Sequence, residues 1–207
     1  IYNGFDVKGI MRGYKGLITD EIIPFQTQNV SNIIQQGGTI LKTARCEEFR
    51  TPEGRKIAYD NIIKHGISAL VVIGGDGSLT GARIFASEYN FPIVGVPGTI
   101  DNDLFGTDHC PGYASASKYI ATSCMEIYQD ARVYDTGMVC VVEIMGRHAG
   151  WLTAAAGLAT AQGAGPDLIY LPETDFDMDK FMADVKKVYA EKGNCLVAVS
   201  EGIHYAD

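Results

Sequence analysis

No apolar run in this sequence of 207 residues reaches the roughly 18 that a membrane helix needs. No low-complexity segment, internal repeat or flexible linker interrupts it. It holds no C-x-x-C pair. Its five cysteines, Cys46, Cys110, Cys124, Cys140 and Cys195, are odd in number and widely spread. That spacing argues against a disulfide frame or a zinc site and for reduced thiols in a cytosol. Basic residues are in deficit. Lys and Arg number 17 against 25 Asp and Glu, a net charge of −8. Such a balance argues against a nucleic-acid surface, which needs clustered cations, while leaving room for one local basic pocket. No signal-peptide pattern opens the chain. It begins at Ile1 and stops just after a strand-like run, so it reads as part of a longer protein.

What is present is ordinary for a globular protein: 46% hydrophobic and 20% charged residues, enough for one large domain or two modest lobes. The opening residues, 1–25, read as a strand and turn segment. Residues 30–36 read as a short helix closed by Gly37-Gly38, and 39–44 as a strand that delivers Arg45, Cys46 and Arg50 onto a loop. Thr51-Pro52 is a helix start, with Ala58 and Ile62 on one face and Gly66 as the stop. Residues 67–73 form an apolar run without alternation, the mark of a strand buried on both faces. Further strands are expected at 92–96, 139–143, 167–171 and 195–200. Helices are expected at 112–132, over the alanine-rich 151–161, and after Asp177 as far as Gly193. Strands alternating with helices give an α/β fold, doubly wound, with mostly parallel sheets and helices on both faces.

Chemistry gathers in four polar turns at the carboxyl ends of expected strands. They are Gly75 to Ser78, Thr99 to Asp103, Met145 to Arg147, and Glu201. A doubly wound fold brings such turns to one edge of the sheet. Glycines in a strand–turn–helix let backbone N–H groups approach phosphate. An acid there, Asp76, makes sense beside Mg²⁺, and Asp103 can share that cation. Asp101 can take a proton from a hydroxyl, and Arg45 and Arg147 can pair with phosphate oxygens. Together these describe phosphoryl transfer to an alcohol. Either carboxylate turn alone would also suit a solvated loop or a glycine cap.

The pieces Gly74-Gly75-Asp76-Gly77-Ser78, Pro97-Gly98-Thr99-Ile100-Asp101-Asn102-Asp103 and Met145-Gly146-Arg147 resemble those of the phosphofructokinase family. Thr43-Ala44-Arg45, Phe49-Arg50 and Ser200-Glu201-Gly202 support the match, which runs along essentially the whole chain. The resemblance implies two similar lobes. Residues 1–111 would be a nucleotide- and metal-binding lobe and 112–207 a sugar-phosphate lobe, both incomplete, with the boundary near 106–112. It implies that Asp101 is the general base on the 1-hydroxyl of fructose 6-phosphate, in a catalytic set with Thr99, Asp103 and Arg147. Asp76 and Asp103 would lie at Mg²⁺. Thr99, Ile100, Asp101, Met145, Gly146, Arg147 and Glu201 would contact the sugar phosphate. Arg45, Cys46, Gly75, Asp76, Gly77 and Ser78 would contact the nucleotide. His148 matches no catalytic role and reads as structural.

In this family, enzymes that use pyrophosphate usually carry Asp after Gly-Gly-Asp and Lys before Thr-Ile-Asp. Gly77 and Gly98 stand here instead, which favours ATP, although residues 149–155 and 165–173 look more like the branch with many pyrophosphate users. The expected activity is therefore an ATP-dependent 6-phosphofructokinase of glycolysis, cytoplasmic, allosteric and homo-oligomeric, a tetramer by resemblance. The alternatives are the pyrophosphate-dependent reaction and a non-catalytic regulatory subunit of the same fold. The Thr-Ile-Asp-Asn-Asp turn argues against a kinase of the NAD or diacylglycerol type. Two departures stand out. The family's early glycine-rich segment and its late Arg/His cluster fall outside these residues. Met138 aligns where many members lend an arginine to a neighbouring subunit.

Overall fold

The structure, a computed structural model, describes residue 1 and residues 3–206. Tyr2 and Asp207, one in each expected lobe, lie outside the described residues. The chain forms two compact units, Ile1–Val72 with Gly77–Gly95 and Ile73–Asp76 with Val96–Asp207.

In the first unit, β1 (Val7–Ile10) and β2 (Ile22–Phe25) pair antiparallel around the short helix α1 (Tyr14–Ile18), with Val7 opposite Phe25 and Ile10 opposite Ile22. The next helix comes earlier than expected, as the four-residue α2 (Thr27–Val30). The side chain of Gln26 and that of Asn29 cap each other's backbone N–H groups, which starts the helix there. Ser31 is already extended and Asn32 is left-handed at φ 58°, which ends it. The strand expected over 39–44 does not form. Lys42 adopts φ 59° and donates its N–H to Thr39 O at 3.2 Å, so the segment turns instead of extending.

Helix α3 (Pro52–Lys64) follows as read: the Thr51 hydroxyl accepts the Gly54 N–H at 3.1 Å, and Gly66 stands past the end at φ 64°. Its face of Ala58 and Ile62 packs with Leu17, Phe49, Leu70 and Phe85 into the core of this unit. Tyr14 stacks on Phe49 at 3.8 Å between ring centroids.

Strand β3 (Leu70–Gly74), helix α4 (Asp76–Tyr89) and strand β4 (Ile93–Pro97) make the next turn of the fold. Leu70 N–H bonds Pro92 O, and Gly98 N–H bonds Gly74 O. The strands thus pair start with start and end with end, in parallel. The expectation of burial on both faces is not met: Val71 and Ile73 are 66% and 68% exposed, and Val94 is exposed too. Among the described residues β3 and β4 hydrogen-bond only to each other, and exposure alternates along β3, with Leu70 buried and Val71 and Ile73 exposed.

The second unit continues with α5 (Tyr113–Asp130), β5 (Val139–Ile144), α6 (Trp151–Ala155), α7 (Gly157–Ala161), β6 (Leu168–Tyr170), α8 (Met178–Lys192) and β7 (Cys195–Ser200). Its sheet runs β5-β7-β6, all parallel, with β7 central and every residue of it buried. Alternation along β7 divides two cores. Ala198 packs with Cys124, Ile144, Leu152, Ala156 and Ala159, on the side of α5, α6 and α7. Cys195, Val197 and Val199 pack with Val185 of α8. This is the doubly wound pattern, with helices on both faces. The alanine-rich segment expected as one helix is two, because the Ala156 N–H turns to Thr153 O in an i→i+3 bond just before Gly157. Asp177 accepts the Lys180 N–H at 2.9 Å to cap α8, and Gly193 ends it at φ 75°. All five cysteines are free thiols. Among the described residues no helix is long and apolar enough to cross a membrane.

Candidate functional site

The chemistry collects in the second unit, at the carboxyl ends of β3, β4, β5 and β7. Gly98 N–H bonds Gly74 O at 2.9 Å, which draws the two glycine-bearing turns together. Gly75 needs its missing side chain, since a Cβ there would stand 3.1 Å from Thr99 Cβ. Thr99 Oγ1 in turn accepts the Asp101 N–H at 3.2 Å and starts the carboxylate turn. Asn102 at the centre of that turn is buried and left-handed, at φ 55°.

Asp101 and Asp103 each present a buried Oδ1 with no hydrogen-bond partner. Burial raises the Asp101 pKa above the usual carboxylate range, and the negative charges of Asp103 and Glu201 push it the same way. The positive charges of Arg147 and His148 pull it back. Four groups from three turns therefore bear on the charge of Asp101. An unpaired buried carboxylate oxygen is costly in a finished core, so two in one turn make it a candidate site for a proton, a hydroxyl or a cation.

The Met145-Gly146-Arg147 turn is latched to the end of β7. Glu201 Oε1 accepts the Gly146 N–H at 3.3 Å, Ser200 Oγ donates to Gly146 O at 2.9 Å, and Glu201 N–H bonds Ile144 O at 2.8 Å. Gly146 sits at φ 119°, where a Cβ would also press on Ala149 O at 2.5 Å. A Cβ on Gly202 would overlap the backbone carbonyl of Arg147. Gly202→Ala is therefore expected to destabilise the fold by about 1–3 kcal/mol by overpacking against backbone. Denaturant unfolding checks this, and an unchanged midpoint would mean that the latch yields freely. Met145 and Arg147 stay exposed at the mouth of the latch. Glu173 Oε1 accepts the Gly150 N–H at 2.6 Å and anchors the far end of the same loop.

The expected residues thus fall into three sets. Thr99, Asp101, Asp103, Gly146, Arg147 and Glu201 are tied to one another by bonds or by charge, and Ile100 and Met145 lie exposed within the same turns. Gly75 joins them through Thr99, while Asp76 is the exposed first residue of α4. Arg45, Cys46, Gly77 and Ser78 belong to the first unit. Arg45 is exposed on the 42–47 loop and Cys46 is half-buried against the core around Phe49. Gly77 and Ser78 form the first turn of α4, where Ser78 O accepts the Tyr14 hydroxyl at 2.6 Å and a Cβ on Gly77 would meet open space.

Two residues escaped the sequence reading. His148, expected as structural, is exposed and its charge bears on Asp101. Asn102 sits between Asp101 and Asp103, and the motif itself gives it no role. Among the described residues no three of His, Cys, Asp and Glu cluster as a metal cage. Magnesium asks for less, one or two carboxylates with water completing its shell. The orphaned Oδ1 of Asp103 fits one such ligand position.

The model of the family described as phosphofructokinase matches residues 1–207. An ATP-dependent 6-phosphofructokinase 2 of Bacteroides thetaiotaomicron is 51% identical, over all of this chain and 64% of that protein. The chain therefore spans just under two thirds of the length of this relative. Among solved structures, the phosphofructokinase of Pichia pastoris in the T-state superposes with a TM-score of 0.84 at 39% identity, over 99% of this chain and 23% of that one. A pyrophosphate-dependent phosphofructokinase of Marinobacter aquaeolei gives 0.79 at 32% identity, over 97% and 53%.

Proposed function

The chain belongs to the phosphofructokinase family, and from that premise we propose that it carries the reaction centre of an ATP-dependent 6-phosphofructokinase. The observation that carries the proposal is the pair of buried, unpartnered carboxylate oxygens of Asp101 and Asp103 beside Arg147 and Glu201. Asp101 takes the proton of the 1-hydroxyl of fructose 6-phosphate as that oxygen attacks the γ-phosphorus. The bond from γ-phosphorus to the bridging oxygen breaks, and ADP leaves with the electron pair. Arg147 balances the charge that spreads over the phosphoryl oxygens, and Thr99 holds the turn from which Asp101 acts. Asp76 and Asp103 are the residues that would hold Mg²⁺, which when bound screens the donor's phosphate charge.

The sugar phosphate is read by Ile100, Met145, Gly146 and Glu201 along the latched turn. The nucleotide is held by Arg45, Cys46, Gly75, Gly77 and Ser78, the glycines leaving room at the helix start. In this reading residues 1–111 serve the nucleotide and metal and residues 112–207 the sugar phosphate. The setting is glycolysis in the cytoplasm, in a homo-oligomer under allosteric control. The names of the relatives, ATP-dependent in the Bacteroides protein, support ATP over pyrophosphate. One observation favours the second donor: the Marinobacter protein of similar fold is pyrophosphate-dependent.

The test is a coupled assay of the full-length protein with fructose 6-phosphate and Mg²⁺, run separately with each donor. Turnover with ATP alone is expected. Turnover with pyrophosphate alone would overturn the donor, and turnover with neither would favour a regulatory subunit of the same fold.

A further inference from the structure

Among the described residues, Asn102 is the one non-glycine residue of the second unit with a positive φ. It is 6% exposed, and both ends of its amide are used. Nδ2 donates to Asp108 O at 3.1 Å, and Oδ1 accepts the Cys110 N–H at 2.8 Å. Those partners lie six and eight residues downstream, so one side chain closes the whole 103–109 excursion. They lie next to the entry of α5, where the Tyr113 N–H bonds Cys110 O at 3.1 Å. The neighbours of Asn102 on either side are Asp101 and Asp103, and each has an oxygen that nothing in the fold holds.

We propose that Asn102 is the positioning residue of the reaction centre: its side-chain amide, clamped between Asp108 O and the Cys110 N–H, sets the left-handed bend that holds Asp101 and Asp103 in place. This rests on the assignment of Asp101 as base. Neither carboxylate oxygen is anchored by a bond of its own, so their placement must come from the backbone between them. That backbone has a conformation few side chains adopt. Asn tolerates it, and here its amide is also the fastener. Aspartate could keep the acceptor for Cys110 but has no donor for Asp108 O, and it would add a third negative charge. Glycine would keep the bend and lose both bonds. A reacting group displaced by an ångström loses rate far more than affinity.

The experiment compares Asn102→Gly and Asn102→Asp with the parent in the full-length protein. For each, kcat should fall about 10- to 100-fold, with KM for fructose 6-phosphate and for ATP within about threefold. Amide hydrogen exchange reads the clamp without any turnover: the Cys110 N–H should lose protection in Asn102→Gly and keep part of it in Asn102→Asp. Unchanged kcat in both variants, or a Cys110 amide equally protected in all three proteins, would overturn the proposal. A general loss of affinity with kcat intact would also overturn it, since that marks a structural residue. If Asn102→Gly fails to fold, Asn102→Asp decides by the same two readouts. A parent without phosphotransferase activity would count against the function and leave the exchange experiment standing on its own.

Discussion

Asp101→Asn lowers kcat by roughly 10²- to 10⁴-fold, the loss expected when a general base is removed, with KM for both substrates changed only a few-fold. The fold should not suffer. Asp101 holds a buried oxygen with no partner, and its ionisation is opposed by burial and by the charges of Asp103 and Glu201. Its folded pKa is raised above the unfolded value, so the folded state binds the proton more tightly. Stability contributed by this group therefore falls as pH rises through that window, and it is recovered below the ordinary carboxylate range. Asparagine removes this slope. Thermal melts at several pH values should show the variant gaining on the parent as pH rises. Activity runs the other way, because the base must be ionised: kcat should drop as pH falls through the raised value. A variant with near-normal turnover would remove Asp101 from its role, whatever its stability.

Gly77→Asp is the second large effect. The substitution meets no obstacle, since a Cβ there has open space around it in the first turn of α4. Its consequence would thus be electrostatic rather than a folding defect. In the proposed function this turn receives the donor's phosphates, so a carboxylate there sets like charges together, which costs several kcal/mol. That amounts to at least about 100-fold in kcat/KM for ATP, with KM for fructose 6-phosphate retained. Gly98→Lys is a poorer probe, because its Cβ would stand 3.1 Å from Ile73 Cγ2 and strain the strand end. Steady-state kinetics with ATP varied at saturating sugar phosphate decides the matter. Unchanged ATP kinetics would mean that Gly77 does not face the nucleotide.

Local rules carried the reading where they are self-contained. Thr51, Asp177 and Gly193 announce helix ends with their own atoms, and each cap forms as read. The continuous apolar run of β7 is buried at every residue because helices cover both of its faces, α5 to α7 on one and α8 on the other. The equally apolar β3 is not, because burial belongs to what packs on a strand and not to the strand itself. Residues 27–45 defeated the reading for another reason. Their course is set by the Gln26–Asn29 caps and by left-handed Asn32 and Lys42, in a stretch with too little apolar periodicity to signal either. At the candidate site, the residues proposed to react were legible because motifs record side-chain chemistry. The supports were not: Asn102 acts on backbone atoms of Asp108 and Cys110, and Gly202 acts by leaving room for a carbonyl. Backbone partners leave no signature in side-chain pattern.

The central claim is the proposal that Asp101 takes the proton of the 1-hydroxyl of fructose 6-phosphate as that oxygen takes the γ-phosphoryl group of ATP. Phosphorus-31 NMR of a reaction of the full-length protein, followed in parallel with its Asp101→Asn variant, tests it most directly. The expected result is a second sugar phosphomonoester resonance growing in step with ADP in the parent, and almost none in the variant. Inorganic phosphate in place of the second ester, or equal growth in both proteins, would contradict the account.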